Sequence, residues 1–458
     1  MSAPSPVVAP RERALPDSPL ARERSGIDAC VHCGFCLQAC PTYVTLEDEN
    51  DSPRGRILLM RTLLEGTLSP TDESVETHIA RCLGCRACET VCPAGVPYGH
   101  LLEATRATLA EHRPIPAVAR AILAVFERPW LLRAAMAGGR VLRATGIARL
   151  LADLPGRFGF AMAMLASTAR GDRGSSQAEG GIYSRPPSDS TRMEDPSVAS
   201  LARDDKRGSV ALLTGCVMEG LFAATNRATE RVLDVNGYVL VEASGQRCCG
   251  ALHAHAGDDE AARRLARANV AAFERAPVDY ICVNAAGCGA TMKEYAHLLA
   301  IDPDWRDRGA KVAAKVRDVS ELLAVAGPGL STNASDRGAK RVRVAYDAPC
   351  HLLHAQGIAA PPLEVLQAIP EIELVALAES DMCCGSAGIY NLVEPDTSNV
   401  VLERKLANIA RADVDIVATG NPGCLMQIGA GLLRDGSRTR AMHPVDLLDR
   451  SYADGAPR

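Results

Sequence analysis

Apolar positions recur along this chain with two different periods. Over residues 117–126 and 130–154, Ala, Leu, Val and Ile return every three to four positions with Arg on the other side, which predicts amphipathic helices. ILLMRTLLEG at 57–66 repeats that period, begins after the helix start Ser52-Pro53-Arg54-Gly55-Arg56 and ends at Gly66. Beyond residue 208 the pattern changes. Runs at 210–213, 239–241, 280–283, 342–346, 374–376 and 416–419 are short, apolar and β-prone, and helical text follows several of them. Strands alternating with helices predict a parallel sheet with crossovers. Residues 170–208, dominated by Gly, Ser, Asp, Arg and Pro, bury little and predict a flexible linker. Residues 1–25, rich in Pro and Arg, predict a mobile arm. No stretch approaches eighteen uninterrupted apolar residues, so no transmembrane helix is expected.

Composition changes this picture in one respect. Among 458 residues there are 17 cysteines, as many as all Phe, Trp and Tyr together. A chain long enough for roughly three domains does not need disulfide staples. Its opening, Met1 to Pro10, has no basic start followed by an apolar run, so no secretory signal is read and a reducing, cytoplasmic setting is expected. The cysteines therefore point to metal or redox work. A net charge of −5 argues against nucleic acid as a partner.

Eight cysteines form two runs of one design: Cys30-x2-Cys33-x2-Cys36-x3-Cys40-Pro41 and Cys82-x2-Cys85-x2-Cys88-x3-Cys92-Pro93. This is the bacterial two-cluster ferredoxin spacing, in which three thiolates wrap one cubane and the fourth reaches the other. Cys30, Cys33, Cys36 and Cys92 are thus assigned to one [4Fe-4S] cluster, and Cys82, Cys85, Cys88 and Cys40 to the second. A structural zinc site needs four ligands, usually as two CxxC knuckles, and does not call for a third cysteine at x2 with a fourth at x3-Pro. Gly34 and Gly84 permit close backbone approach. Arg54 and Arg56 either offset thiolate charge or form a solvated basic turn.

The remaining cysteines lie in an internal repeat. Cys216, Cys248, Cys249 and Cys288 are answered by Cys350, Cys383, Cys384 and Cys424 at offsets of 134 to 136, and QRCCGA is answered by DMCCGS. Duplication of one domain is the simplest account. Each set follows predicted strand ends, where open α/β sheets place their sites, so each repeat can gather four sulfurs at one edge. Buried structural cysteines are the plain alternative, and the best reading for Cys282, whose repeat partner is Ala418. His253, His255, His351, His354 and Asp347 lie close in sequence to these cysteines and are candidate proton donors or ordinary loop residues.

CVHCGFCLQACPTY, DSPRGRI, RCLGCRACETVCPAGVPYG, LLTGCVM, CCGALH, NAAGCG, KEYAHLL, CCGSAGIYN and NPGCLMQI together resemble the iron–sulfur subunit family of glycolate oxidase (glycolate dehydrogenase), within the wider group of cysteine-rich CCG-domain proteins. The resemblance covers about residues 26–112 and 208–450. It implies two [4Fe-4S] clusters, a partner subunit carrying FAD that oxidises glycolate to glyoxylate, onward delivery to the quinone pool, and a place at the inner face of the cytoplasmic membrane. Heterodisulfide-reductase relatives end the CCG motif in CxxC. Here Ala285 and Asn421 occupy the first of those positions, so four sulfurs per repeat remain, for a further iron–sulfur centre, another metal, or zinc. Other substrates (D-lactate, glycerol-3-phosphate) and a catalytic, disulfide-cleaving role are the alternatives. No G-x-G-x-x-G follows a strand, so a flavin or similar acceptor must sit on a partner.

The expected fold is α+β and multi-domain. It comprises an arm (1–25), a helical two-cluster ferredoxin-type domain (26–112), a helical segment (113–169), a linker (170–208) and two α/β CCG repeats (209–330 and 341–450). Within the helical segment, Phe126 and Trp130 are read as core packing, with a partner- or membrane-facing surface as the alternative.

Overall fold

The computed structural model describes residues 15–169, 207–327 and 341–455. The expected linker lies almost wholly outside the described residues, as do positions 1–14 and the stretch between the repeats. The end of the expected arm is a correction: Pro19–Arg22 and Arg24–Asp28 are helical. Leu20 is fully buried and its N–H donates to Thr108 Oγ1 at 3.0 Å. Ser18 caps the first helix through the N–H of Ala21, and Pro19 at its start costs no hydrogen bond.

Both cysteine runs are loops with short helical turns, held by the Pro53–Leu64 and Tyr98–His112 helices. Pro53–Leu64 starts where expected, with Ser52 accepting from the Gly55 N–H, and Gly66 follows it at φ 72. Its Ile57, Met60 and Leu63 pack with Leu101, Leu102 and Ile79 into a small core that reaches Cys82 and Cys88.

Each repeat is a four-stranded parallel sheet. In the first, β1 (Ser209–Leu212), β2 (Val239–Leu240), β3 (Tyr280–Val283) and β4 (Val316–Asp318) lie in the order β2-β1-β3-β4. In the second, β5 (Val342–Tyr346), β6 (Ile372–Val375), β7 (Ile416–Ala418) and β8 (Arg440–Met442) repeat it as β6-β5-β7-β8. Register pairs Leu212 with Cys282 in one sheet and Tyr346 with Ala418 in the other. The strand expected at 374–376 begins two residues earlier, and the three-residue β4 and β8 were too short to read.

Side chains alternate across these sheets as period two requires. Val210, Leu212, Cys282, Val344, Tyr346, Ile416 and Ala418 all enter one core shared by the two repeats. The opposite faces, Ala211, Ile281 and Val283 in one repeat and Ala345 and Val417 in the other, pack on separate cores that contain Cys248 and Cys249, and Cys384 and Cys424. Cys282 is therefore core, fully buried, and its repeat partner Ala418 lines the same interior.

The helical segment differs from expectation. Pro129–Ala144 ends at Thr145, Gly146 takes φ 78, and Ile147–Leu151 is a separate helix. Trp130 is not core: it is 65% exposed, and the whole Pro129–Ala144 helix buries no residue. Gly156–Ser167 anchors the segment by packing Phe160 and Ala163 against Leu433 and Ala430 of the Pro422–Arg434 helix. Among the described residues no helix is long and apolar enough to cross a membrane.

Candidate metal centres

The ferredoxin cysteines gather into two cavities. Cys30, Cys33, Cys36 and Cys92 line one, near the surface, with Cys33 exposed and Cys88 on its far wall. Cys40, Cys82, Cys85 and Cys88 line the other, and all four are buried. Chain order alone would group Cys40 with Cys30 and Cys92 with Cys82; the fold exchanges them. Gly34 and Gly84 hold φ 86 and 61 within the loops, and the Gly84 N–H points at Cys82 Sγ, 3.4 Å away. The Tyr98 hydroxyl donates to the same sulfur at 3.6 Å.

The two arginines of SPRGR separate. Arg54 pairs at the surface with Glu49. Arg56 is fully buried: its guanidinium donates to the carbonyl of His78 at 2.6 Å, Thr42 Oγ1 at 3.0 Å and Asp51 Oδ1 at 3.1 Å, and reaches Cys40 Sγ at 4.0 Å. Asp51, also buried, gathers Arg81 and His78 on its carboxylate. Asp51 was not singled out from sequence, although it precedes the SPRGR helix start.

In each repeat the first and last cysteines follow β1 and β3, or β5 and β7, the pair of strands at which the strand order reverses. The adjacent pair follows β2 or β6 and completes the edge. Cys216 Sγ donates to Cys248 Sγ at 3.6 Å, and Cys384 Sγ to Cys424 Sγ at 3.2 Å. Hydrogen bonds from Cys216 and Cys249, supported by the Gly250 amide, hold the Cys248 thiol well below its ordinary range. Cys350, Cys384 and the Gly385 amide do the same for Cys383. The outer cysteines move the other way: Cys216 and Cys350 are raised by donating hydrogen bonds to those thiolates and by burial. Asn421, three positions before the last cysteine of repeat 2, donates its amide to Cys424 Sγ at 3.5 Å.

All 17 cysteines are free, and sixteen converge into these four sets. Burial pushes the Cys36 thiol up to about 11, and burial with repulsion from neighbouring sulfurs raises Cys85 and Cys88 well above the ordinary thiol range. Four sulfurs crowded in a dry pocket cannot all ionise unless a cationic centre sits among them. The donor sets therefore fit metal–sulfur groups, with soft thiolates and no hard oxygen ligand.

The four sets are not evenly spaced. Cys85 and Cys383 belong to one apolar cluster with Leu83, Tyr390 and Val401, against which Cys350 packs. His351 Nε2 faces the Gly84 carbonyl at 3.0 Å, and the Tyr390 hydroxyl donates to the Arg81 carbonyl at 2.7 Å. The charges felt at the repeat 1 cysteines, by contrast, come from one another and from His253.

Most of the candidate proton donors are held by fixed partners. His255 Nδ1 lies 2.8 Å from Glu103, His354 contacts Thr90 and the Asp381 carbonyl, and Asp347 forms a buried ion pair with Lys405 at 2.8 Å. Burial, with His255 nearby, lowers His351 to about 4, so it is neutral at physiological pH. His253 is fully buried with neither ring nitrogen hydrogen-bonded.

Comparison with known proteins agrees with this layout. The chain matches the family model of a 4Fe-4S dicluster domain over residues 26–96 and that of a cysteine-rich domain twice, over 210–293 and 344–429. It is 36% identical over 437 residues to the probable glycolate oxidase iron-sulfur subunit of Bacillus subtilis, covering 92% of each chain. It is 32% identical over 430 residues to the glycolate oxidase iron-sulfur subunit of Escherichia coli, covering 92% of this chain and 93% of that one. Lactate utilization protein A of an Exiguobacterium species is 29% identical over 242 residues, covering 53% of this chain and 97% of its own. The full-length match joins both cysteine systems in one order, and the chain belongs to the glycolate oxidase iron–sulfur subunit family.

Proposed function

We propose that this chain is the electron relay of a glycolate dehydrogenase (acceptor) complex at the inner face of the cytoplasmic membrane. A partner subunit carrying FAD oxidises glycolate to glyoxylate, releasing two electrons and two protons, and the electrons pass through this chain toward the quinone pool. Cys30, Cys33, Cys36 and Cys92 hold one [4Fe-4S] cluster and Cys40, Cys82, Cys85 and Cys88 the second; each cluster, when bound, takes and gives one electron. Cys350, Cys383, Cys384 and Cys424 hold a further metal centre, and Cys216, Cys248, Cys249 and Cys288 another.

The observation that carries this reading is the buried cluster that Cys85 shares with Cys383, close enough for the Cys85 sulfur to feel the charge of Cys383. It places a sulfur of the buried ferredoxin set beside one of repeat 2, while the other ferredoxin set opens to the surface at Cys33. A line from surface to interior suits a relay; a catalytic pocket would need an open substrate site at the sulfurs. The residues do three things along it. The Gly84, Gly250 and Gly385 amides stabilise negative sulfur, Arg56 sets a buried positive charge beside Cys40, and Leu83, Tyr390 and Val401 keep water from the junction.

Anaerobic copurification with a flavoprotein partner tests the proposal. Brown protein with at least eight irons per chain, and dye reduction by glycolate faster than by D-lactate, is expected. Colourless zinc protein, or disulfide reduction by the isolated chain, would overturn it.

A further inference from the structure

The helical segment 113–169 carries eight arginines, no lysine and only Glu127 and Asp153 as acids, a formal charge of +6. The whole chain is −5, so the rest amounts to −11. Charge of one sign is thus concentrated in this segment of the chain.

Its longest helix, Pro129–Ala144, is held to the body along one side. Met136 lies against Gly220, where even a Cβ would be only 2.4 Å from its sulfur, and Gly139 sits opposite Leu221 and Leu165. Arg140 and Arg143 donate to the carbonyls of Gly220 and Leu221 at 3.2 and 3.1 Å. At about 100° per residue, positions 130, 134, 137 and 141 fall on the opposite side. They are Trp130, Ala134, Ala137 and Val141, all exposed, with Trp130 at 65%. Arg133 borders this stripe on one side, and the helix contains no acid. Beyond it Ile147, Leu150, Leu154 and Phe158 are exposed as well, Leu150 at 79%. Seven of the nineteen large apolar side chains exposed among the described residues lie in this segment.

We infer that this face docks on an anionic lipid bilayer, lying in the interface without crossing it. The charge sign selects phospholipid phosphates. A Trp beside flanking Arg is the pattern of side chains that bury an apolar body while the charged head stays at the phosphates. The Arg contacts to Gly220 and Leu221 tie the docking face directly to repeat 1. The inference deepens the membrane placement proposed above and rests on that reading only for its purpose.

Flotation of the anaerobically prepared full-length holoprotein with vesicles tests it. Vesicles of equimolar phosphatidylglycerol and phosphatidylethanolamine should carry the protein, phosphatidylcholine vesicles should not, and high salt should weaken binding. In a W305F background, emission from Trp130 should shift to the blue on binding. The W130S/V141S/L150S variant should partition about tenfold less, with iron content and visible spectrum unchanged. Absence of binding by fully iron-loaded protein, equal binding by the triple variant, or loss of flavoprotein copurification in that variant with vesicle binding intact would each overturn the inference. Unchanged glycolate-dependent dye reduction in such a case leaves the relay standing, whereas loss of iron from the unmodified chain would refute the relay and not the surface.

Discussion

Cys85, the second cysteine of the second ferredoxin run, shares one buried apolar cluster with Cys383, the first of the adjacent pair in repeat 2, and feels its charge, although 298 positions separate them. No such cluster joins a ferredoxin cysteine to Cys216, Cys248, Cys249 or Cys288 among the described residues. The two repeats, alike in sequence, are therefore unequal in placement.

This asymmetry predicts a spectroscopic difference. C383S and C350S should alter the electron paramagnetic resonance signal of the reduced buried ferredoxin-type cluster, and C216S and C248S should leave it unchanged. The opposite pattern, or equal effects from both repeats, would refute the arrangement.

The Asp51–Arg56 pair is fully buried, so removing either partner strips the other of a buried counter-charge, although Asp51 keeps Arg81 and His78. R56M and D51N should each cost about 3–5 kcal/mol, read as a lower denaturation midpoint of the holoprotein. The D51N/R56M double variant should lose less than the sum of the two.

Gly55 makes this corner possible. A Cβ there would stand 2.0 Å from the Glu49 carbonyl oxygen, in the turn that delivers Asp51. G55A should lower stability by about 1–3 kcal/mol, as expected for overpacking against backbone that has nowhere to move. A melting temperature equal to that of the unmodified protein would contradict it.

Ferredoxin-type domain and repeat 1 meet through Glu294, which binds Arg86 at 2.6 Å and His100 at 3.2 Å. Burial alone would raise the Glu294 carboxyl, but the His100 hydrogen bond and the Arg86 guanidinium hold it at about 2. A carboxyl with a depressed folded value contributes above its unfolded value of 4.5 and loses that contribution as pH falls toward 2. For His100, burial works downward yet the Glu294 hydrogen bond prevails and raises it, so its share is full below 6.5 and fades as pH rises above that. Stability should fall on acidification below about pH 4.5, and E294Q should flatten this acid limb in denaturation curves taken across pH.

Phe35 is 68% exposed and Val31 70% exposed beside the surface cysteine set. With the partner docking over this surface set, F35D should reduce glycolate-dependent dye reduction by the reconstituted complex, expressed per iron bound, at least about tenfold, because a charge placed there must be desolvated. Undiminished activity would place partner docking elsewhere.

Much of this was legible from residues alone, because cysteine spacing is a covalent constraint that context cannot shift. The exchange of Cys40 and Cys92 followed from spacing in the same way, as did Cys282 as core from its Ala418 counterpart. What escaped depended on distant partners. Burial of Leu20 requires the Tyr98–His112 helix, and Arg56 reads as a surface base until Asp51 and the His78 carbonyl enclose it. Trp130 reads as core because periodicity reports that a helix has an apolar face, not whether anything covers it. β4 and β8, at three residues each, are recognisable only through pairing with β3 and β7.

Between the two sheets, Ala286 N–H donates to the Gly420 carbonyl at 3.1 Å, His443 Nε2 faces the Asn284 carbonyl at 2.9 Å, and Val210, Val344 and Met442 share one interior. A duplicated domain so joined has given up its independence. Half of it, expressed alone, would present to water the very face that its twin now covers, and would be expected to self-associate or aggregate. Each copy thus serves as the other's built-in chaperone, through this common seam rather than through its own cysteine edge.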